Sequence, residues 1–168
     1  MARTTRGFRF VRTIDGGPPA MGYFYRDNST ATAFKEGNVL RVSQTSGSAA
    51  KLPAATATVC LGVCGADFVS STSGTAMPVY LAVPNNVFEA KMVATSTPKY
   101  RLMDTLDIRV NTVYNYSLQG TSSVKHVRVV GYDPDDEGKS AATMIRYHVV
   151  FFPDRSAYGR AGGASGGG

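Results

Sequence analysis

Phe34-Lys35-Glu36-Gly37-Asn38-Val39-Leu40-Arg41-Val42 is the stretch whose reading decides the fold. Its polar start, 35–38, is a turn. The run that follows sets Leu40 and Val42 on one side and Arg41 on the other, the alternation of a half-buried strand. Further on, Thr58-Val59-Cys60-Leu61-Gly62-Val63 gives a more continuous apolar run, bounded by Pro53 and Gly65. A strand, a loop and a returning strand are therefore expected, as the start of a barrel, with the polar, small-residue segment 43–50 exposed between them.

A weak echo of this unit follows. Ile108, Arg109 and Val110 repeat the apolar, charged, apolar texture of Leu40, Arg41 and Val42, and 127–131 stands roughly where 59–62 stood. The offset is 68 residues from Leu40 to Ile108 and 69 from Gly62 to Gly131. Two related halves, about 34–93 and 101–152, are one reading of this spacing and chance resemblance among strands is the other.

Working outward, the 168 residues are enough for one well-buried domain. Charged residues make up only 18%, Trp is absent, Gly, Ser, Thr, Val and Ala abound, and no segment has the periodicity of a three-turn helix. An all-β architecture of short strands and many turns is expected. The organisation read from the chain is an extended basic and aromatic arm over 1–20, a β-rich body over 21–157 and a flexible Gly-rich tail over 158–168.

The formal charge is +6, and much of it sits in the arm, where Arg3, Arg6, Arg9 and Arg12 occur with no acid among the first twelve residues. Such an arm suits an acidic surface, nucleic acid or protein. The arginines recur at every third position, the period of a polyproline-like extended segment and not of a flat strand. Phe8 and Phe10 share one face if the arm is extended. Either the arm pairs as an edge strand of its own domain, or it lies along a neighbouring subunit and inserts its rings there. In the second case Phe8 and Phe10 are the anchors. Beyond the Asp15-Gly16-Gly17-Pro18-Pro19 punctuation, Tyr23 and Tyr25 take one face of a strand and Phe24 the other, for core, interface or base-stacking contacts.

Later segments read as strands and turns. Residues 77–83 and 87–93, joined by Pro84-Asn85-Asn86, follow the rules of a hairpin, with Phe88 and Ala90 on one face and Glu89 and Lys91 on the other. Residues 113–118 and 124–132 flank a turn over 119–123. The strand 143–152 puts Ile145, Tyr147, Val149 and Phe151 on its core face, opposite Met144, Arg146, His148 and Val150.

No stretch has the roughly twenty apolar residues of a membrane helix or the apolar core of a secretory signal, so a protein made in the cytosol, with no membrane contact, is expected. Cys60 and Cys64 would lie about 13 Å apart along one side of a strand, too far for a disulfide, and are expected as free, buried thiols. The acidic loop Asp133-Pro134-Asp135-Asp136-Glu137-Gly138 imitates the start of a calcium loop, but position twelve is Met144 where Glu is needed, so a solvated loop is expected. His126 and His148 fall within strands without a nucleophile or paired carboxylates, and no phosphate-cradling motif is completed. No enzyme activity, no cofactor and no metal are expected.

Glu36-Gly37-Asn38-Val39, Cys60-Leu61-Gly62-Val63 and Gly131-Tyr132-Asp133-Pro134 carry a resemblance. Over about 23–152 the sequence resembles the small β-rich head decoration, or cement, proteins of tailed bacteriophages, encoded beside the major capsid protein. The resemblance implies a β-barrel or β-tulip-like body on the capsid exterior that binds the major capsid protein, bridges capsomers and sits beside copies of itself. Neither the arginine-rich arm nor the Gly tail is required by that family. For this reading the candidate partner-binding residues are Arg3, Arg6, Phe8, Arg9, Phe10, Arg12, Tyr23 and Tyr25. The rival reading is a single-stranded nucleic-acid-binding barrel, with the arm on phosphates and Tyr23 and Tyr25 stacking on bases; the lack of a basic stripe through the body disfavours it. Another minor virion protein is the third.

Overall fold

A turn at Glu36 and Gly37 does precede a strand, and Gly37 sits there at φ +89°, a conformation that suits glycine. The computed structural model describes residues 7–26, 33–43, 48–51, 59–67, 76–92, 99–110, 116–120, 124–141, 145–153 and 156–157. Among them the chain forms eleven strands, one three-residue 3-10 turn and no α-helix. The strands are β1 (Arg9–Thr13), β2 (Met21–Tyr25), β3 (Val39–Val42), β4 (Ala49–Lys51), β5 (Gly62–Cys64), β6 (Ala76–Leu81), β7 (Asn86–Lys91), β8 (Thr105–Val110), β9 (Tyr116–Gln119), β10 (Val127–Tyr132) and β11 (Arg146–Phe151). The protein is all-β.

The strands form two antiparallel sheets. One runs β1-β7-β11-β10-β8-β9 and the other β2-β6-β5-β3-β4. The ladders do not close, so the β-barrel or β-tulip-like body expected from the sequence is a compact pair of sheets and not a closed barrel, with single parallel bridges joining Arg26, after β2, to Ala49 of β4 and Met92, after β7, to Leu118 of β9. The first sheet's inner face supplies Phe88, Ile108, Leu118, Val127, Val129, Tyr147, Val149 and Phe151 to a core that Val39, Cys60, Val63 and Ala82 complete from the other side. As expected, Ile145, Tyr147, Val149 and Phe151 are all buried.

The second sheet is covered on both faces. Val39 belongs to the core between the sheets, whereas its neighbour Leu40 joins Phe34, Leu61, Met77 and Val79 in a second cluster. The half-buried pattern expected for β3 is thereby corrected: Val39 and Leu40 are both fully buried and Val42, at the strand end, is 38% exposed. Cys60 and Cys64 part company in the same way, one in each cluster, because the side-chain alternation breaks at Gly62. A Cβ there would meet the Tyr80 carbonyl oxygen at 2.1 Å, so only glycine allows β5 and β6 this approach. As expected, neither cysteine is in a disulfide and both are buried, but they lie on opposite sides of the sheet and not on one side.

Connections are where local rules gave wrong partners. β6 and β7 are consecutive across Pro84 and Asn85, yet they lie in different sheets and form no hairpin. Asn86 explains the corner: its amide donates to the Ala20 and Leu81 carbonyls at 2.8 and 3.0 Å, and its oxygen accepts from Ala20 N–H at 3.1 Å. Fully buried polar side chains need such partners, and here they tie the end of β6 to the start of β2. Likewise β9 pairs with β8 and not with β10. Ala49 and Ala50, placed in an exposed loop by their composition, form the buried strand β4 beside β3.

Candidate partner-binding surface

Residues 7–26 supply an outer strand to each sheet, β1 on β7 and β2 on β6. Because β6 hands over directly to β7, both outer strands run along one flank, and Phe10 of β1 stacks on Tyr80 of β6 with ring centroids 4.7 Å apart and planes at 4°. The described part of the expected arm is therefore built into the body. Phe8 is fully buried, 6.1 Å from the Phe151 ring, and Phe10 also meets Phe88 edge-on at 6.2 Å. The expectation that both rings anchor in a neighbouring subunit is corrected: their apolar area is spent inside the chain's own core.

The period-three expectation fails over 9–13 for a physical reason. The β1–β7 register shifts between Phe10 and Arg12, so Val11 is an extra residue, and Arg9 opposite Glu89 shares a face with Arg12 opposite Val87. A bulge does here what a polyproline twist would have done. Arg9 donates from Nη2 to buried Glu89 Oε1 at 3.1 Å, whereas Arg12 is exposed. Arg3 and Arg6 lie outside the described residues, as do the tail residues 158–168 and Met144.

β2 presents the opposite picture. Tyr23 is 71% and Tyr25 62% exposed, on the same face as Met21, and Phe24 on the other face packs against the second cluster. Ile14, just past β1, is 58% exposed. Sequence reasoning selected the two tyrosines and missed Ile14 and Met21, whose exposure follows from lying at the outer edge, a tertiary fact without a sequence signal.

Beside β1 the structure gathers charge that the sequence left scattered. Single ligand atoms of Glu89, Asp133 and His148 lie within 4.8 Å of one another. Arg9 holds Glu89, and Arg146 reaches Asp133 at 3.0 Å and Asp136 at 2.8 Å, while His148 Nε2 approaches Glu89 Oε2 at 3.4 Å. With two guanidinium groups already on its carboxylates, this cluster works as a clamp joining β1, β7, β11 and the acidic turn. That turn is for the most part the solvated loop expected, with Pro134, Asp135, Glu137 and Gly138 exposed between the paired strands β10 and β11, but Pro134–Asp136 forms a 3-10 turn capped by Asp133, and Asp136 is buried. Burial alone would raise the Asp136 carboxyl, but hydrogen bonds from Arg146 and Lys139, with the Arg146 charge, outweigh it and hold it well below the usual carboxylate range.

The remaining candidates are absorbed by the fold. His126, buried just before β10, accepts at Nδ1 from Ile108 N–H at 3.3 Å. Burial pushes the Cys64 thiol up to about 11, and its Sγ donates to the Ala66 carbonyl at 3.1 Å. No helix among the described residues is long and apolar enough to cross a membrane. No known protein family, curated protein or solved structure matches this chain.

Proposed function

We propose that this chain is a structural virion protein that binds the outer surface of a tailed-phage capsid and stabilises the shell by bridging major capsid protein subunits. The observation that carries the reading is where the exposed large apolar side chains fall. Of the seven among the described residues, Ile14, Met21, Tyr23 and Tyr25 sit on the flank formed by the two outer strands. Apolar patches of this kind mark protein contacts, and tyrosine suits them because it buries area at low entropic cost. Arg12, exposed on the Arg9 face of β1, with Arg3 and Arg6 upstream, suits an acidic shell surface. The resemblance to head decoration proteins supplies the class of partner.

The test is cosedimentation of the full chain with expanded capsids assembled from the major capsid protein encoded beside it, followed by imaging of the shell. Saturable, ordered density on the exterior supports the reading, and a chain that stays in the supernatant overturns it.

One observation favours a second reading. Two exposed tyrosines two residues apart on one strand are also a base-stacking platform. Salt-dependent binding of single-stranded DNA, lost in Tyr23→Ala with Tyr25→Ala, would move the assignment there.

A further inference from the structure

One row of residues crosses four strands on the face turned away from the core between the sheets. Arg9 of β1 lies opposite Glu89 of β7, Glu89 opposite His148 of β11, and His148 opposite Gly131 of β10. Opposed residues of an antiparallel ladder project to the same face, so Glu89 and His148 converge, while Gly131 adds no side chain. Asp133, two residues past Gly131, returns to that face, and its N–H donates to the Arg146 carbonyl at 2.9 Å. β7, β11 and the end of β10 thus each bring one metal-ligating side chain to one place, with single ligand atoms within 4.8 Å of one another.

The arginine clamp uses only half of each of these carboxylates. Glu89 Oε1 accepts from Arg9, but Glu89 Oε2 and His148 Nε2 are buried, have no hydrogen-bond partner and stand 3.4 Å apart. Asp133 spends Oδ1 on the Asp135 N–H and on Arg146, each at 3.0 Å, and keeps Oδ2. Buried polar atoms are nearly always satisfied, and two lone-pair atoms that face each other away from water call for a cation between them. Their spacing fits one. A tetrahedral ion with nitrogen and oxygen ligands at about 2.1 Å holds any two of them about 3.4 Å apart. The Asp133 oxygen then has at most about 1.4 Å further to come, which rotation of its side chain covers.

We propose that Glu89, Asp133 and His148 bind one divalent transition-metal ion, zinc fitting best, with water in the fourth position. One imidazole with two carboxylates suits a borderline ion, whereas calcium and magnesium take all-oxygen sets. The arginines do not bar the ion. Around the site the carboxylates of Glu89, Asp133, Asp135 and Asp136 outnumber the cations of Arg9, Arg146 and Lys139 by one. Hydrogen bonds to the outer oxygens of ligating carboxylates are also the usual support of a metal centre. The ion is structural: it ties β7 and β11 to the acidic turn, where the clamp already draws them together. The inference is independent of the capsid reading, because it needs only side chains of this chain.

The test treats the full chain with a chelator, removes the chelator, and titrates zinc at about pH 7.5, where metal competes well with protons for the ligands. Calorimetry should give one ion per chain with a Kd below about 0.1 mM. Thermal melts should show a midpoint that climbs with zinc concentration. Cobalt in place of zinc should show the visible bands of a tetrahedral nitrogen and oxygen set, without the thiolate band that Cys60 or Cys64 would give. His148→Gln removes no hydrogen bond at Nε2, so it keeps its circular dichroism and weakens zinc binding at least about tenfold. If that variant fails to fold, Asp133→Asn decides the matter, because asparagine caps the 3-10 turn as aspartate does but lacks the anionic ligand. A wild type that binds no zinc, which leaves a proton on His148 as the cation, overturns the inference. So does a thiolate band, or an affinity unchanged in the folded variants, which marks an adventitious ion only.

Discussion

Arg9 and Glu89, eighty residues apart in the chain, meet at 3.1 Å where β1 lies against β7. The contact decides how the N-terminal segment behaves. Glu89 is buried, so its carboxylate needs this guanidinium, and β1 is held to the body by charge as well as by Phe8 and Phe10. Arg9→Met should lower stability by about 1.5–3 kcal/mol, the usual worth of a hydrogen bond to a buried charge, while Arg12→Met should change it by under about 0.5 kcal/mol. Denaturant titrations of the two variants measure the difference.

Phe8→Ala should lower stability by about 3–5 kcal/mol, since the ring is fully buried against Phe151. Phe10→Ala, at a partly buried site, should cost less, losing mainly the stack on Tyr80. Equal, negligible losses in thermal melts would mean that β1 is a detachable arm after all.

Asp136 makes stability depend on acid in a defined direction. Its carboxyl is held low in the folded chain, so its contribution is complete above the ordinary Asp value of about 3.9 and is lost as pH falls toward the folded value. Asp136→Asn should therefore destabilise by about 1–3 kcal/mol at pH 7, with the gap to wild type closing below about pH 4. Chemical denaturation at a series of pH values reads this directly.

Much of the architecture was legible in the sequence. The alternation in residues 145–151, the paired faces of Phe88 and Glu89, and the turn before Val39 all stand in the structure because each depends on local backbone period and turn chemistry. Partner choice was not legible. The Pro84-Asn85-Asn86 turn satisfies local hairpin rules, but the buried Asn86 amide ties it to Ala20, more than sixty residues away in sequence, and the chain crosses between sheets. The site was half legible for the same reason. Tyr23 and Tyr25 stood out by type, whereas the burial of Phe8 and the exposure of Ile14 depend on which strands flank them.

Cys60 and Cys64 should resist labelling in the native protein at pH 8, because both are buried and the Cys64 thiol titrates only at about 11. After denaturation without reductant both should react, and the count of labelled thiols by mass spectrometry should be two. A count of zero would mean that they had paired.

The most direct measurement is amide hydrogen exchange on the dilute free chain and on the capsid-bound chain. β1 amides should be protected already in the free chain, and the Met21 and Tyr23 amides, which point away from β6, should exchange fast when free and slowly when bound. Free-chain exchange at β1, or binding that protects β8 and β9 while leaving residues 14–25 unchanged, would contradict the account.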